Sequence, residues 1–245
     1  GILMMNIMSF AGPDIDDTFT GQRSEIYTGT WNELSLFFIN TFVTTNFYTM
    51  FSFLFGLGFF IFLSRADKKT QSGTKLFIRR LAMLLVFGLL HGILLWYGDI
   101  LWTYAIAGVF LIMFYKLKPK TNLIIAILIL AFFSVISVAS AAVVLVTSKN
   151  MDGIDMASSG FVFSLNMTET VLNGSYGDII GMNATILGLS AAGAIFVVPN
   201  VLAMFLIGLY AGQKGYFQNL FAHTGLLKKV AAIGIGIGLP VKIFT

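Results

Sequence analysis

Ionisable side chains are nearly absent from the long apolar stretches of this sequence, and His91 is the exception that matters most for chemistry. An imidazole titrates near neutral pH, so it can take a proton from an attacking hydroxyl or amine, or carry an acyl group itself. His91 follows the basic edge at Arg80 by about ten residues, which at ~1.5 Å per residue sets it past the middle of an apolar helix. An ionisable group at that depth is costly and marks a functional candidate. The structural alternative is a neutral imidazole that donates one N–H to a neighbouring carbonyl and packs two helices. Asp99 lies eight residues further on. If the helix continued, the two would stand roughly 12 Å apart, and Asp99 would meet His91 only through another group or a bend. Asp99 also suits the start of the next apolar run at Ile100, where a carboxylate accepts backbone N–H groups and favours the positive helix end. Gly88 and Gly92 flank His91 as a small-xxx-small pair that lets another helix approach closely.

Other chemistries are excluded or weakened by what the sequence lacks. There is no cysteine, hence no disulfide, no thiolate nucleophile and no cysteine-bound metal. No Gly-Lys-Ser/Thr phosphate loop, His-Glu-x-x-His zinc motif or Gly-x-Ser-x-Gly elbow occurs, and no metal site is expected. The formal charge is +4. The basic residues sit in short loops without interleaved aromatics, which points to anionic lipid headgroups as partners and away from nucleic acid.

The elements that must position His91 are membrane helices. With 57% hydrophobic and 11% charged residues over 245 positions, a water-soluble domain would have almost no solvated surface. Runs long enough to approach or cross ~30 Å of hydrocarbon are Phe47–Ser64, Leu81–Tyr97, Ile100–Tyr115, Leu123–Thr147 and Ile186–Ala211. Gly1–Ala11 and Val230–Thr245 read as spans cut by the chain ends, so the sequence is expected to be a fragment of a longer protein. The fold class expected is all-α, a polytopic transmembrane bundle with five complete spans and two truncated ones. Residues 1–245 form a single transmembrane domain, with an external loop at about 148–185.

Charge sorts by loop. Arg65, Lys68, Lys69, Lys75, Arg79, Arg80, Lys116, Lys118, Lys120, Lys214, Lys228 and Lys229 fall on one side. Ten of the 11 acids fall on the other, Asp99, Glu169 and Asp178 among them, leaving Asp67 on the basic side. By the positive-inside rule the basic side faces the cytoplasm. The alternation holds only if Leu34–Thr45 does not cross by itself, so it reads as a half-inserted stretch leading into Phe47–Ser64. Pro199 and Asn200 interrupt Ile186–Ala211, where a broken helix would line a cavity or a kink would serve packing. Asn166-Met-Thr, Asn173-Gly-Ser and Asn183-Ala-Thr fit the glycosylation pattern and read as coincidental.

Several stretches carry a resemblance: Gly1–Phe10, Phe51-Ser-Phe-Leu-Phe-Gly-Leu-Gly-Phe59, Arg79-Arg-Leu81 with His91, and Gly98-Asp-Ile-Leu101. On these the chain resembles the YeiB-like family of bacterial membrane proteins, which look related to the membrane acyltransferases that include heparan-α-glucosaminide N-acetyltransferase. The likeness covers residues 1–120, while 121–245 match in topology alone. It implies a multi-pass protein of the bacterial cytoplasmic membrane. Acyl-CoA would be the donor, bound from the cytoplasmic side with Arg79 and Arg80 as candidate contacts, and a small-molecule acceptor would be acylated at the outer side. A histidine serves such enzymes as base or acyl carrier. Asn6 falls where related O-acyltransferases place a histidine, so this sequence departs from that pattern. His91 is the remaining intramembrane imidazole, and its assignment as catalytic, with Asp99 and Asn6 positioning groups around it, rests on these residues and not on a family motif. Two other readings stay open: a transporter or permease without enzymatic activity, motivated by Pro199 and the glycine-rich helices, and a structural membrane subunit.

Overall fold

The computed structural model describes residues 6, 29–43, 46–69, 73–150, 167–218, 223–238 and 240, and every regular element in them is helical. In chain order these are α1 (Thr30–Phe38), a π turn at Ile39–Val43, α2 (Asn46–Lys69), α3 (Gly73–Leu94), α4 (Leu101–Phe114), α5 (Pro119–Asn150), α6 (Met167–Asn173), α7 (Tyr176–Gln213) and α8 (Thr224–Ile233), the last followed by a π segment at Gly234–Gly238. Four of the described helices are long and apolar enough to cross a membrane: Thr41–Lys68, Gly73–Leu94, Pro119–Ser140 and Tyr176–Gln213. The sequence suggests five complete spans, and the difference lies in α4. Its 14 residues rise only ~21 Å, against ~30 Å of hydrocarbon. The truncated spans expected at Gly1–Ala11 and Val230–Thr245 fall largely outside the described residues.

The bundle is built around α7, which contacts α2, α3, α4 and α5. Its core combines Phe59 and Leu63 of α2, Phe77 and Leu81 of α3, Tyr104, Ala107 and Leu111 of α4, and Val201, Phe205, Leu206 and Leu209 of α7. Because lipid tails are as apolar as these side chains, close packing rather than water exclusion holds such helices together. Glycine supplies the closeness. A Cβ on Gly56 would fall onto the backbone carbonyl of Phe205, and one on Gly208 onto that of Phe53, so α2 and α7 cross almost backbone to backbone. The rings beside the crossing interlock, with Phe55 stacked on Phe205 at 4.4 Å and Tyr104 edge-on to Phe205 at 5.2 Å. The polar groups buried here are mutually satisfied. Ser52 Oγ lies 2.7 Å from Tyr104 Oη, and both hydroxyls bond the carbonyl of Tyr48. The other sides of the helices present Phe87, Leu90, Leu128, Phe132, Val135 and Ile195 outward, as a lipid-solvated surface requires.

Three expectations change at the level of elements. The helix containing His91 ends at Leu94, short of the expected Tyr97. The stretch expected as an external loop at 148–185 contains α6 and the first turns of α7, because Ser175 and Asp178 form a capping box that starts α7 well before Ile186. Finally, α7 runs unbroken through Pro199, and Asn200 Nδ2 donates to the Phe196 carbonyl at 2.8 Å. Because the helix continues past the proline, the broken-helix argument for a cavity there falls away and the packing role is left.

Candidate functional site

The candidate site is built at the turn between α3 and α4. Helix α3 stops at Leu94 because its last carbonyls are taken by side chains of α7: Asn183 Nδ2 donates to the Ile93 carbonyl at 3.2 Å and Tyr176 Oη to the Leu94 carbonyl at 2.7 Å. These groups would otherwise be orphaned at a helix end. The backbone N–H groups of Leu95 and Trp96 then close onto the His91 carbonyl, both at 2.9 Å, and the chain turns back through Tyr97 and Gly98. Tyr97 packs on Met182 and Ile186 of α7, which fixes the turn against the bundle.

Asp99 enters from this turn with both oxygens engaged. Oδ1 accepts from the Leu101 N–H at 2.7 Å and from the Trp102 N–H at 3.4 Å, starting α4. Oδ2 lies 2.8 Å from His91 Nδ1. The carboxylate approaches that nitrogen out of line with the ring N–H, so Nδ1 is buried in close polar contact without a hydrogen bond of full geometry. The bend that the sequence required for the two residues to meet is therefore present, and their separation is far below the 12 Å of a continuous helix. The capping role of Asp99 is present at the same time.

Burial divides the pair. The Asp99 side chain is 3% exposed, whereas that of His91 is 41% exposed. With Nδ1 covered, the rest of the imidazole, Nε2 included, is the part that faces outward. It opens into a cleft of about 470 Å³ lined by Phe87, Leu90, His91, Leu94, Leu95, Leu101 and Tyr176. Gly88 makes this arrangement possible. A Cβ there would stand 2.6 Å from the Trp102 nitrogen and 3.0 Å from Asp99 Oδ1, pushing the start of α4 away from α3. Gly92 has ordinary contact distances, 3.5 Å to Leu187 and 3.6 Å to Asp99 Cβ, so the tighter demand falls on Gly88 alone.

The remaining sequence candidates lie elsewhere. Arg79 and Arg80 are exposed at the opposite, basic end of α3, with the Arg80 guanidinium 4.6 Å over the Phe62 ring. Arg80, Phe87 and His91 recur at helical spacing and share one face of α3, the first and last about three turns or ~17 Å apart. Asn6 is helical and half-buried, and the residues flanking it are outside the described set. Sequence reasoning passed over Tyr176 and read Asn183 only as part of a coincidental glycosylation triplet. Asn183 is 2% exposed and bonded to Ile93, so its amide serves the bundle. The available signal was an amide side chain inside an apolar helix.

Taken together, these features define a multi-pass helical membrane protein with a histidine–carboxylate pair at the acidic end of its bundle. The chain is homologous to uncharacterised bacterial proteins. It is 29% identical over 255 residues to YxaH of Bacillus subtilis (strain 168), covering 99% of this chain and 62% of that protein. It is 32% identical over 111 residues to YeiB of Escherichia coli (strain K12), covering 44% of this chain and 26% of that one. An uncharacterised 39.9 kDa protein from the amylase 3′ region of Bacillus acidopullulyticus is 41% identical over 98 residues, 40% of this chain and 28% of that protein. The chain thus spans less than two thirds of the length of each of these relatives. No protein-family description matches it, and no solved structure does.

Proposed function

We propose that His91 and Asp99 form a general-base pair that activates an acceptor hydroxyl or amine for acyl transfer at the outer face of a bacterial cytoplasmic membrane. The observation that carries this reading is the 2.8 Å contact between His91 Nδ1 and a buried Asp99 oxygen, with the half-exposed ring opening into a cleft. A carboxylate against Nδ1 favours the tautomer with its proton there, leaves Nε2 as the basic nitrogen, and stabilises the imidazolium that forms when Nε2 takes a proton. Acyl-CoA as donor comes from the resemblance to membrane acyltransferases.

The step balances without a cofactor. Nε2 removes the proton from the acceptor O–H or N–H, and the acceptor attacks the thioester carbonyl. The C–S bond breaks as the new C–O or C–N bond forms, and the departing thiolate takes up the proton. Arg80 shares the His91 face of α3 and is a candidate contact for the donor's phosphates, with Arg79 beside it. Its ~17 Å separation from His91 is the distance the donor's extended arm must cover.

The test is acyl transfer from radiolabelled acetyl-CoA in membranes containing the intact protein, its His91→Ala variant and its Asp99→Asn variant. Transfer should fall by about 10²–10⁴-fold in His91→Ala, the range of a lost general base. Equal turnover in wild type and His91→Ala would remove His91 from the reaction. Solute flux without dependence on acyl-CoA would replace transfer by transport.

A further inference from the structure

We infer that the cleft beside His91 is a binding site for a membrane lipid whose headgroup carries a primary amine, with one alkyl chain in the cleft and the amine at the His91–Asp99 pair. This identifies the acceptor class for the reaction proposed above and rests on that reading only for the fate of the amine. The binding itself stands on three separate observations.

The first is the lining. Phe87, Leu90, Leu94, Leu95 and Leu101 surround the cleft, and Phe87, Leu90 and Leu95 are 59%, 49% and 68% exposed. They belong to the last turns of a membrane-spanning helix and the turn that follows, where the medium is acyl chain. An alkyl chain is therefore the occupant at hand, and its entry is lateral, from the bilayer.

The second is the length of α4. Its 14 residues rise ~21 Å, and the part of α3 beyond its basic edge at Arg80, Leu81–Leu94, is as short, so with both basic ends at the membrane surface the α3–α4 turn stops up to ~9 Å short of the opposite hydrocarbon boundary. By contrast, the 38 residues of α7 rise ~57 Å and pass well beyond it. A hydrophobic element shorter than the bilayer draws lipid down locally. The His91–Asp99 pair then lies where the headgroup of a sunken lipid comes to rest, at the foot of α7 and its Tyr176.

The third is charge. Asp99 is a carboxylate 3% exposed, held within the site by two backbone N–H groups and by His91. Asp178 and Glu169 are exposed at the same end of the bundle, on the first turn of α7 and on α6. The nearby Tyr176 hydroxyl is already donated to Leu94. The lining is apolar apart from His91 and Tyr176, and the carboxylates stand behind it and around its end of the bundle, an arrangement that complements an ammonium group better than an anionic headgroup such as glycerol phosphate.

The test reconstitutes the intact protein in nanodiscs of equal parts phosphatidylethanolamine, phosphatidylcholine and phosphatidylglycerol, then counts retained lipid by native mass spectrometry after detergent release. Phosphatidylethanolamine should be retained several-fold over either competitor. Leu94→Trp, which fills the cleft, should abolish the enrichment. Leu128→Trp, on the outward face of α5, should leave it unchanged, and Asp99→Asn should shrink the preference over phosphatidylcholine. Equal retention of the three lipids by the wild-type protein overturns the inference whatever the variants do, as does enrichment that survives Leu94→Trp. Enrichment without acyl transfer keeps the lipid site and removes the reaction. Transfer to a water-soluble amine without enrichment does the reverse.

Discussion

The two ends of α4 solve the same problem with different chemistry. At each end the chain reverses, backbone carbonyls would be left without partners, and an amide from α7 reaches across. At the acidic end the Asn183 amide bonds the Ile93 carbonyl. At the basic end Gln213 Nε2 bonds the carbonyls of Tyr115 and Leu117, while its oxygen accepts from Asn122 Nδ2, which also donates to Phe114. At the basic turn the side chains that hold the carbonyls are neutral amides, with Asn122 fully buried, while the Asp67 carboxylate accepts from the Tyr115 hydroxyl only at the exposed surface. The acidic turn adds an ionisable pair beside an open cleft, although amides alone close the other turn. Packing therefore does not require charge at such a turn. Ionisable groups at this depth are costly, and the proposed function rests on His91 and Asp99 for that reason.

The largest effect should come from separating chemistry from structure at the acidic end. His91→Ala should lower acyl transfer by about 10²–10⁴-fold, equivalent to ~3–5 kcal/mol, with the melting temperature in detergent nearly unchanged because the side chain is half-exposed. A large loss of thermal stability together with activity would make His91 a packing residue like those at the other end. Asp99→Asn sharpens the point. An amide oxygen can still accept the Leu101 N–H, so helix content should persist while transfer falls and its pH profile changes. Full activity in this variant would reduce Asp99 to a cap.

Steric change at Gly88 should come next. Gly88→Val places carbon where the Trp102 nitrogen and Asp99 Oδ1 now stand. It should destabilise the hairpin by about 1–3 kcal/mol in a denaturation assay and impair transfer as well. At the basic end, Asn122→Leu should cost about 1–3 kcal/mol because Gln213 Oε1 and the Phe114 carbonyl lose a buried donor. Its transfer rate per folded molecule should match the wild type. Lost catalysis at full stability would erase the proposed division between the ends. The smallest effect expected is Tyr176→Phe, which removes one hydrogen bond at the end of α3 and should cost about 0.5–1.5 kcal/mol of stability.

Much of this arrangement was legible in the sequence, and the parts that were not share a cause. Apolar runs report that helices exist, and the basic and acidic loops report which ends lie together, because both follow from solvation residue by residue. Helix ends are different. The expected termini at Tyr97 and Ile186 were set by hydropathy, whereas the actual ones at Leu94 and Tyr176 are set by hydrogen bonds from Tyr176 and Asn183 and by the capping box at Ser175 and Asp178. Of the two roles open for Pro199, a broken helix and a packing kink, the first falls because α7 continues through it.

By itself, then, the sequence determined a membrane bundle with one imidazole within an apolar helix and a carboxylate eight residues away. Only the tertiary structure decided that they touch. The separation along a chain becomes a distance in space only when the helix end is known, and this one is terminated by side chains that arrive from α7, more than eighty residues later. Their hold on the carbonyls of Ile93 and Leu94 turns the chain back and brings Asp99 to within 2.8 Å of His91.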